Sequence, residues 1–276
     1  MNHTTRPIRI AIHGAAGRMG RQLIAAVAER DDLLLAAAID AAGSPSVGQP
    51  VSWLCAAVRD DMDVVDHTAS LTPDGCDVVI DFSTPAATMS LLEVLAGKGI
   101  PVVIGTTGLD GDARGRLAEV AADLPLIHAA NYSVGVTVTL DLLARAARAF
   151  GDDCDIDVFE AHHHHKVDAP SGTALAMGEV LAAARGRKLD EVACLARQGQ
   201  VGARPPGEIG FATMRGGDIV GEHTVFFAGI GERLEVTHRA TDRMIFARGA
   251  VRAARWLAEQ RVTGRVFDMR DVLGIS

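Results

Sequence analysis

A glycine-rich turn near the start of the chain constrains the fold more than any other feature of the sequence. It joins an alternating, β-branched run over 8–13, typical of a buried strand, to a helical spacing of apolar residues over 22–30. Within it, Gly14 permits a tight bend, Gly17 a close approach of the backbone to a pyrophosphate, and Gly20 close packing of helix on strand. The whole turn is Gly14-Ala15-Ala16-Gly17-Arg18-Met19-Gly20. It predicts a dinucleotide site, with a ligand-free glycine turn as the alternative.

Three further segments stand where a dinucleotide cofactor would need them. Asp40 ends a second apolar strand pattern about twenty residues beyond the turn, where an acidic side chain binds ribose hydroxyls. Two polar turns follow later strand-like runs at 101–104 and 126–129. These turns are Gly105-Thr106-Thr107 and Ala129-Ala130-Asn131-Tyr132. We expect them to line the crevice at the carboxyl ends of the strands, although a purely capping role would also explain their Thr and Asn residues.

The order of strand and helix patterns predicts an α/β protein of two domains. Strands and helices alternate over 1–132, which indicates a Rossmann-type parallel sheet covered on both faces. The stretch 133–242 includes three strand-like runs between 209 and 239 with no helix between them. It therefore indicates a smaller α+β domain with a mostly antiparallel sheet. We predict that 1–132 is the dinucleotide-binding domain, completed by 243–276, and that 133–242 binds the substrate and forms the oligomer.

Composition argues against several classes of protein. With 276 residues, 48% of them hydrophobic, the chain is long enough to bury a sizeable core, and its net charge of -8 argues against a nucleic-acid partner. No apolar run reaches the length of a membrane span, and the polar start up to Pro7 is unlike a signal peptide. The four cysteines form no Cys-x-x-Cys pair, as expected of reduced thiols in the cytoplasm.

A second motif concentrates titratable groups between Glu160 and Ala174. Its sequence is E-A-H-H-H-H-K-V-D-A-P-S-G-T-A, so four imidazoles and an ammonium occupy the five positions 162–166. The Pro-Ser-Gly-Thr turn that follows opens a helical pattern. Because cations near the start of a helix are unfavourable, we expect them to serve a ligand. The motif therefore predicts a site that binds an anion and delivers a proton.

Three other interpretations of this motif compete with a catalytic one. An embedded purification tag is disfavoured because the run is internal and flanked by patterned sequence. A metal site is disfavoured because successive side chains of an extended segment point to opposite faces, so four neighbours do not converge on one ion. A solvated loop stays open as an interpretation of this segment taken alone.

Taken together, these segments closely resemble the 4-hydroxy-tetrahydrodipicolinate reductase family, also called dihydrodipicolinate reductase, of bacterial and plant diaminopimelate and lysine synthesis. The resemblance covers nearly the whole chain. It is carried by the glycine turn, by the histidine motif and by several shorter segments. These are Gly105-Thr-Thr-Gly108, Ala130-Asn131-Tyr132-Ser133-Val134-Gly135, Gly221-Glu-His-Thr224, Gly231-Glu-Arg233 and Phe267-Asp-Met-Arg-Asp-Val272.

The resemblance implies the reduction of a cyclic imine that bears two carboxylates, with hydride from a nicotinamide cofactor and a proton from the protein. It implies that His162 is the catalytic acid/base and Lys166 the proton donor, without a metal. The residues implied to hold the substrate are His163, Gly172 and Thr173. Those implied to hold the cofactor are Gly14 to Met19, Asp40, Gly105 to Thr107, and Ala129 to Tyr132. The resemblance further implies a homotetramer assembled through the second domain.

Some positions depart from the family's pattern. Ala41 stands where some members carry an arginine beside the ribose-binding acid, and Asp40 itself repels a 2′-phosphate. NADH is therefore expected to be preferred. NADPH is expected to be accepted too, because Arg18 in the glycine turn could reach its 2′-phosphate and the family is often tolerant of both cofactors. The segment 53–71 is unlike the family, and only a short helix and a strand at 64–65 are expected there. His164 replaces a variable residue and is expected to be exposed, with substrate contact as the alternative.

Two other functions compete with this one. Another two-domain dehydrogenase would act on an alcohol or an amine and would not need the anion-binding turn at 170–173. A regulator that senses a dinucleotide would bind the cofactor without turnover, and it would lack the cluster of proton donors. The sequence carries both the turn and the cluster, which favours the reductase.

Overall fold

The computed structural model describes residues 6–58 and 61–275, and it divides the chain into two compact units. Unit 1 comprises Met1–Ser133 and Met244–Ser276, and unit 2 comprises Val134–Arg243. The binding roles expected of the two domains stay predictions. The polar start of the chain was expected not to be a signal peptide. Most of it lies outside the described residues.

Unit 1 is built on a five-stranded sheet in which neighbouring strands run parallel. The strands, β1 to β5, are Ile8–His13, Leu33–Ile39, Val78–Asp81, Val102–Ile104 and Leu126–His128. Their order in the sheet is β2-β1-β3-β4-β5. The strand interiors are largely apolar and buried, as expected of a parallel sheet covered on both faces. The Rossmann-type sheet predicted from the sequence is confirmed.

The helices of unit 1 pack in pairs. They are α1 Arg18–Ala28, α2 Pro85–Ala96, α3 Gly111–Val120, α7 Met244–Gln260 and α8 Met269–Leu273. α1 packs against α7, and α2 against α3. Ala11 of β1 belongs to the same buried cluster as residues of α2 and α3, and strand alternation turns Ile10 and Ile12 to the opposite face. α1 begins earlier than the predicted 22, because the glycine turn passes directly into the helix with Gly17 as its N-cap.

The stretch 53–71 is less regular than expected. A 3-10 helix spans Val51–Trp53, and Val65 pairs with Ile39 in an isolated parallel bridge. The strand expected at this point is therefore a single bridge beside β2. Residues 59 and 60 lie outside the described residues, together with that part of the expected helix.

Unit 2 combines a mixed five-stranded sheet with two long helices. Its strands, β6 to β10, are Asp155–His162, Ala193–Cys194, Ile209–Arg215, Gly221–Ala228 and Arg233–Ala240. Its helices, α4 to α6, are Val134–Phe150, Gly172–Ala184 and Leu189–Val192. The strand order is β10-β9-β6-β8-β7, and β9 is antiparallel to both β6 and β10, which confirms a mostly antiparallel sheet. However, β8 runs parallel to β6 and β7, because the crossover through α5 returns the chain in the direction of β6.

The two faces of the sheet in unit 2 differ in their cover. α4 and α5 cover one face, where Ile156, Val158 and Phe227 are fully buried. On the opposite face, Phe159 and Phe226 are only half-buried, and Met214 is 48% exposed. Unit 2 therefore presents a partly apolar sheet face that neither helix covers.

Among the helices of 6–58 and 61–275, none is both long and apolar enough to cross a membrane.

Gly249→Ala should destabilise unit 1. Gly249 is buried in α7, where an added Cβ would lie 1.8 Å from the backbone oxygen of Tyr132, so the helix or the loop would have to move. We expect the free energy of unfolding, measured by chemical denaturation, to fall by about 1–3 kcal/mol. Gly115→Ala is the matched control, because an added Cβ at this exposed position of α3 meets nothing within 4 Å. It should raise stability by up to about 1 kcal/mol. Equal stability of the two variants would contradict this packing.

Candidate active site

A cleft of about 510 Å³ opens at the carboxyl ends of the strands in unit 1. It brings together nine of the predicted cofactor residues, Gly17, Arg18, Met19, Gly105, Thr106, Thr107, Ala130, Asn131 and Tyr132. Phe82, Ser83 and Phe246, which the sequence analysis missed, also line the cleft. Gly14, Ala15, Ala16, Asp40 and Ala129 are not among the residues that line it.

The glycine turn has the geometry that a dinucleotide requires. Gly14 adopts a φ of +79°, and an added Cβ at Gly20 would lie 2.2 Å from the backbone oxygen of Gly14. The backbone N–H groups of Gly14 and Ala15 both donate to the carbonyl of Ile39, each at 2.9 Å. Gly17, the N-cap of α1, offers no side-chain cap to the first turn. The positive end of this helix therefore carries no side-chain cap, which fits a pyrophosphate.

Asp40 follows β2 directly and is half-buried. Its carboxylate accepts a hydrogen bond from the Ser44 hydroxyl at 2.7 Å. The carbonyl of Ile39, the residue before Asp40, accepts hydrogen bonds from the glycine turn. These backbone bonds fix Asp40 close to that turn. Ala41 beside it is exposed and brings no charge.

A buried carboxylate that the sequence analysis missed fixes the positions of side chains that line the cleft. Asp81, at the end of β3, is fully buried and accepts four side-chain hydrogen bonds. The donors are His13 Nδ1 at 2.7 Å, Ser83 Oγ at 2.6 Å, Thr88 Oγ1 at 2.5 Å and Thr106 Oγ1 at 3.1 Å. The Thr106 hydroxyl is thus held within the protein, so this residue contributes to the cleft through its backbone and position. An acidic residue at the end of an apolar strand pattern was the sequence signal for this group.

Tyr132 is held inside unit 1. Its hydroxyl donates to the carbonyl of Ile104 at 2.7 Å, and its ring packs on Phe82 with centroids 5.6 Å apart. Burial raises the pKa of the phenol well above its ordinary value. Tyr132 therefore shapes the cleft and is unsuited to act as an acid there. The Asn131 side-chain oxygen accepts a hydrogen bond from Ser133 N–H at 2.8 Å, which fixes the turn.

In unit 2, the end of β6 carries His162 beside a second buried carboxylate, Glu160. His162 Nδ1 donates to Glu160 Oε2 at 2.6 Å, and the Arg215 guanidinium donates to both carboxylate oxygens, at 2.8 and 2.7 Å. Burial alone would raise the pKa of Glu160, but the hydrogen bonds from Arg215 and His162 hold it below its usual value. Burial also lowers the pKa of His162, against the opposing effect of Glu160.

The predicted anion turn is the N-terminus of α5. This helix begins at Gly172, and its N-cap Ser171 accepts a hydrogen bond from Ala174 N–H at 3.1 Å. The Ser171 hydroxyl lies 3.0 Å from Nε2 of His223, and its backbone N–H donates to Glu160. The first turn of α5, which includes the predicted Gly172 and Thr173, is therefore fixed directly beside the carboxylate that holds His162.

The loop after β6 carries Lys166, the predicted proton donor, and His163, a predicted substrate residue. Lys166 Nζ forms an ion pair with Asp168 at 2.8 Å. His163 Nε2 lies 2.9 Å from the Arg243 guanidinium, and burial followed by the charge of Arg243 lowers the pKa of His163. His164 is exposed, as expected, and its Nδ1 donates to the carbonyl of Gly217. The sequence analysis named neither Asp168 nor Arg243 as a site residue.

Three potential metal ligands lie close together in this region. Atoms of Glu160, His162 and His223 lie within 4.8 Å of one another. The carboxylate, however, already accepts hydrogen bonds from His162 and from both terminal nitrogens of Arg215, and a guanidinium beside it repels a cation. The hydrogen-bond network accounts for the arrangement without an ion, and the absence of a metal stays a prediction.

Two family models match the chain. "Dihydrodipicolinate reductase, N-terminus" matches residues 8–132, and "Dihydrodipicolinate reductase, C-terminus" matches residues 135–273. The chain belongs to the dihydrodipicolinate reductase family. The resemblance that the sequence motifs indicated is thereby confirmed.

A relative of known name agrees with this family, and two solved structures share the fold. The chain is 52% identical over 268 residues to 4-hydroxy-tetrahydrodipicolinate reductase of Acinetobacter baumannii strain ATCC 17978, which covers 97% of each sequence. A solved structure, dipicolinate-bound dihydrodipicolinate reductase from Paenisporosarcina sp. TG-14, superposes with a TM-score of 0.72 at 22% identity, covering 95% of this chain and 97% of that one. Myo-inositol dehydrogenase of Corynebacterium glutamicum ATCC 13032 shares the fold, with a TM-score of 0.57 at 14% identity over 98% of this chain and 93% of that one.

Stability should fall as the pH drops from about 6.5 towards 4. Burial, followed by the charge of His162, lowers the pKa of His223 from 6.5 to about 4. In this window the unfolded chain binds a proton at His223 that the folded chain does not, so the free energy of unfolding decreases by roughly 1–3 kcal/mol. Denaturation at pH 7 and pH 4.5 measures the loss, and His223→Gln should reduce it. The same substitution at the exposed His67 is the control. If His223→Gln leaves the pH dependence as steep as in the parent, His223 is not the group responsible.

Proposed function

We infer that the chain reduces 4-hydroxy-tetrahydrodipicolinate to tetrahydrodipicolinate with a reduced nicotinamide cofactor, in the synthesis of diaminopimelate and lysine. The observation that carries this conclusion is 52% identity over 97% of the chain to a relative of that name. The two matching family models, which together span 8–132 and 135–273, support the same reaction.

We propose that unit 1 holds the cofactor. When bound, the reduced nicotinamide supplies the hydride. Support comes from the N-terminus of α1, which has no side-chain cap, from the cleft beside it and from Asp40, which directly follows β2. The proposed contacts are Gly14, Ala15, Ala16, Gly17, Arg18, Met19, Asp40, Gly105, Thr106, Thr107, Ala129, Ala130, Asn131 and Tyr132. Thr106 and Tyr132 act through backbone and shape, because their hydroxyls are bonded within the protein.

We propose that unit 2 binds the two carboxylates of the substrate and supplies the proton. Gly172 and Thr173 open α5, where the helix dipole favours an anion, and His163 and Lys166 lie on the preceding loop. A substrate carboxylate would replace the Asp168 carboxylate at Lys166 Nζ. His162, with Nδ1 committed to Glu160, keeps Nε2 for proton exchange with the reacting atoms.

Oligomeric state and location are further proposals. A homotetramer assembled through unit 2 is supported by the sheet face that α4 and α5 leave uncovered, where Phe159, Phe226 and Met214 are partly exposed. A cytoplasmic location is supported by four free cysteines, since such thiols persist in a reducing compartment.

A coupled assay tests the proposed reaction. A synthase generates the unstable substrate in the cuvette, and loss of NADH absorbance on addition of the protein is followed. The inference predicts substrate-dependent oxidation of NADH. Cofactor binding without turnover would indicate a regulator instead. Turnover of an alcohol or amine, but not of this substrate, would indicate another dehydrogenase on the same fold.

His162→Gln and Lys166→Ala should each lower kcat by roughly a hundredfold or more, a typical contribution of a general acid. Both substitutions remove a proton donor beside the α5 turn, and neither lies in an apolar cluster, so the fold should survive. His164→Gln is the matched control, because this exposed imidazole lies in the same run and is expected to contribute little. A kcat close to that of the parent in both test variants, with an unchanged circular-dichroism spectrum, would overturn the assignment.

NADH should be preferred over NADPH in kcat/KM, with NADPH still used. Repulsion between Asp40 and a 2′-phosphate near the surface is of order one to a few kcal/mol, which is roughly tenfold discrimination. Ala41→Arg should shift the preference towards NADPH, because a guanidinium pairs with that phosphate. Ser90→Arg adds the same charge on the exposed side of α2 and is the control. A parent enzyme with a clear preference for NADPH would show that Asp40 does not govern this choice.

A further inference from the structure

Glu160 places a buried carboxylate directly beside the ring of His162. Its side chain is fully buried, yet it accepts hydrogen bonds from four different residues. The donors besides His162 are Arg215 Nη1 and Nη2, Ser171 N–H at 3.2 Å and Thr213 Oγ1 at 3.3 Å. Because burying a charge is unfavourable unless it is matched by donors, this set keeps a full negative charge beside one imidazole.

The bond from His162 to Glu160 determines which nitrogen of the ring can react. A carboxylate accepts, so Nδ1 carries the hydrogen, and Nε2 is left to exchange a proton. The ring is confined by its surroundings: an added Cβ at Gly221 would lie 3.0 Å from Nε2, and the His223 ring packs edge-on with centroids 5.1 Å apart. Both the tautomer and the orientation of His162 are therefore set by its neighbours.

Arg215 links this histidine to the loop that carries Lys166. One of its terminal nitrogens donates to Glu160 and also to the backbone oxygen of Asp168 at 2.6 Å. The Asp168 carboxylate in turn holds Lys166 Nζ at 2.8 Å. Arg215, at the end of β8, is thus bonded both to the carboxylate that holds His162 and to the residue whose carboxylate holds Lys166.

We propose that Glu160 is the positioning residue of His162, orienting its ring and stabilising its protonated form. Arg215 in turn fixes the position of the Lys166 loop relative to Glu160. This inference rests on the proposed role of His162. Neither Glu160 nor Arg215 contacts the reacting atoms in this account. Both act through the residues that do.

The charges around His162 predict the direction of the effect. Glu160 on β6 favours the imidazolium, whereas Lys166 on the following loop and Arg215 on β8 oppose it, and His223 on β9 faces the ring with His238 on β10 behind it. Burial already lowers the pKa of His162. Without the Glu160 charge, burial and the two cations act alone, so the pKa of His162 should fall further.

Glu160→Gln tests the proposal, because it removes the charge and keeps the shape. We expect kcat to fall roughly ten- to a hundredfold, as is typical when the supporting partner of a functional group is lost. The pKa of His162, followed by NMR of histidine-labelled protein, should fall by about one unit or more. The signal is assigned as the one missing from His162→Gln. Binding of pyridine-2,6-dicarboxylate should stay near that of the parent, since Lys166 and the α5 turn remain.

Two further variants make the test decisive. Glu179→Gln makes the same chemical change at an exposed position of α5 and should leave both readouts as in the parent. If Glu160→Gln leaves Arg215 unpaired and fails to fold, Glu160→Gln combined with Arg215→Met replaces the buried ion pair by neutral groups. The fall in kcat should then persist, and the pKa of His162 should fall by less than in Glu160→Gln, because the opposing charge of Arg215 is lost as well.

The outcomes separate this inference from the proposed function. If His162→Gln itself keeps the kcat of the parent, the proposed role of His162 fails, and this inference fails with it. If His162→Gln is impaired while the folded Glu160 variant keeps both the kcat and the His162 pKa of the parent, only the positioning role of Glu160 is overturned.

Discussion

A carboxylate that is buried at the end of a strand must be surrounded by donors, and this constraint organises both units of the protein. In unit 1, Asp81 accepts hydrogen bonds from His13 and from hydroxyls of the neighbouring turns and of α2, close to the proposed cofactor cleft. In unit 2, Glu160 gathers Arg215 and His162 beside the anion turn. In each case the donors hold polar groups in fixed positions where ligands are expected to bind, so the stability of the fold and the geometry of the site depend on the same contacts.

The parallel sheet and the glycine turn could be predicted because their causes are local. Buried parallel strands are continuous apolar runs, and Gly14 and Gly20 stand where a side chain would collide with backbone atoms. The start of α5 could also be predicted, because Ser171 and the residues after it form a standard helix N-terminus. The segments that carry the proposed ligand-binding residues were therefore visible in the sequence, and the roles proposed for these residues come from the family resemblance.

What the sequence did not reveal depends on contacts between distant segments. Arg215 meets Glu160 across 55 residues, and this pairing follows from β8 lying parallel to β6, which the run of three strand patterns did not indicate. Lys166 Nζ is paired with the Asp168 carboxylate, a contact that the histidine motif did not indicate. The short strand β7 pairs for only two residues, too few for a periodic pattern.

A crystal structure of the protein with NADH and pyridine-2,6-dicarboxylate would test the central claim most directly. The account predicts one carboxylate at Lys166 Nζ in place of Asp168, another at the N–H groups of Gly172 and Thr173, and Nε2 of His162 facing the bound ring. Glu160 should keep its bond to Nδ1. A dicarboxylate bound away from the α5 turn, or a His162 ring that has turned away from Glu160 towards another partner, would contradict it.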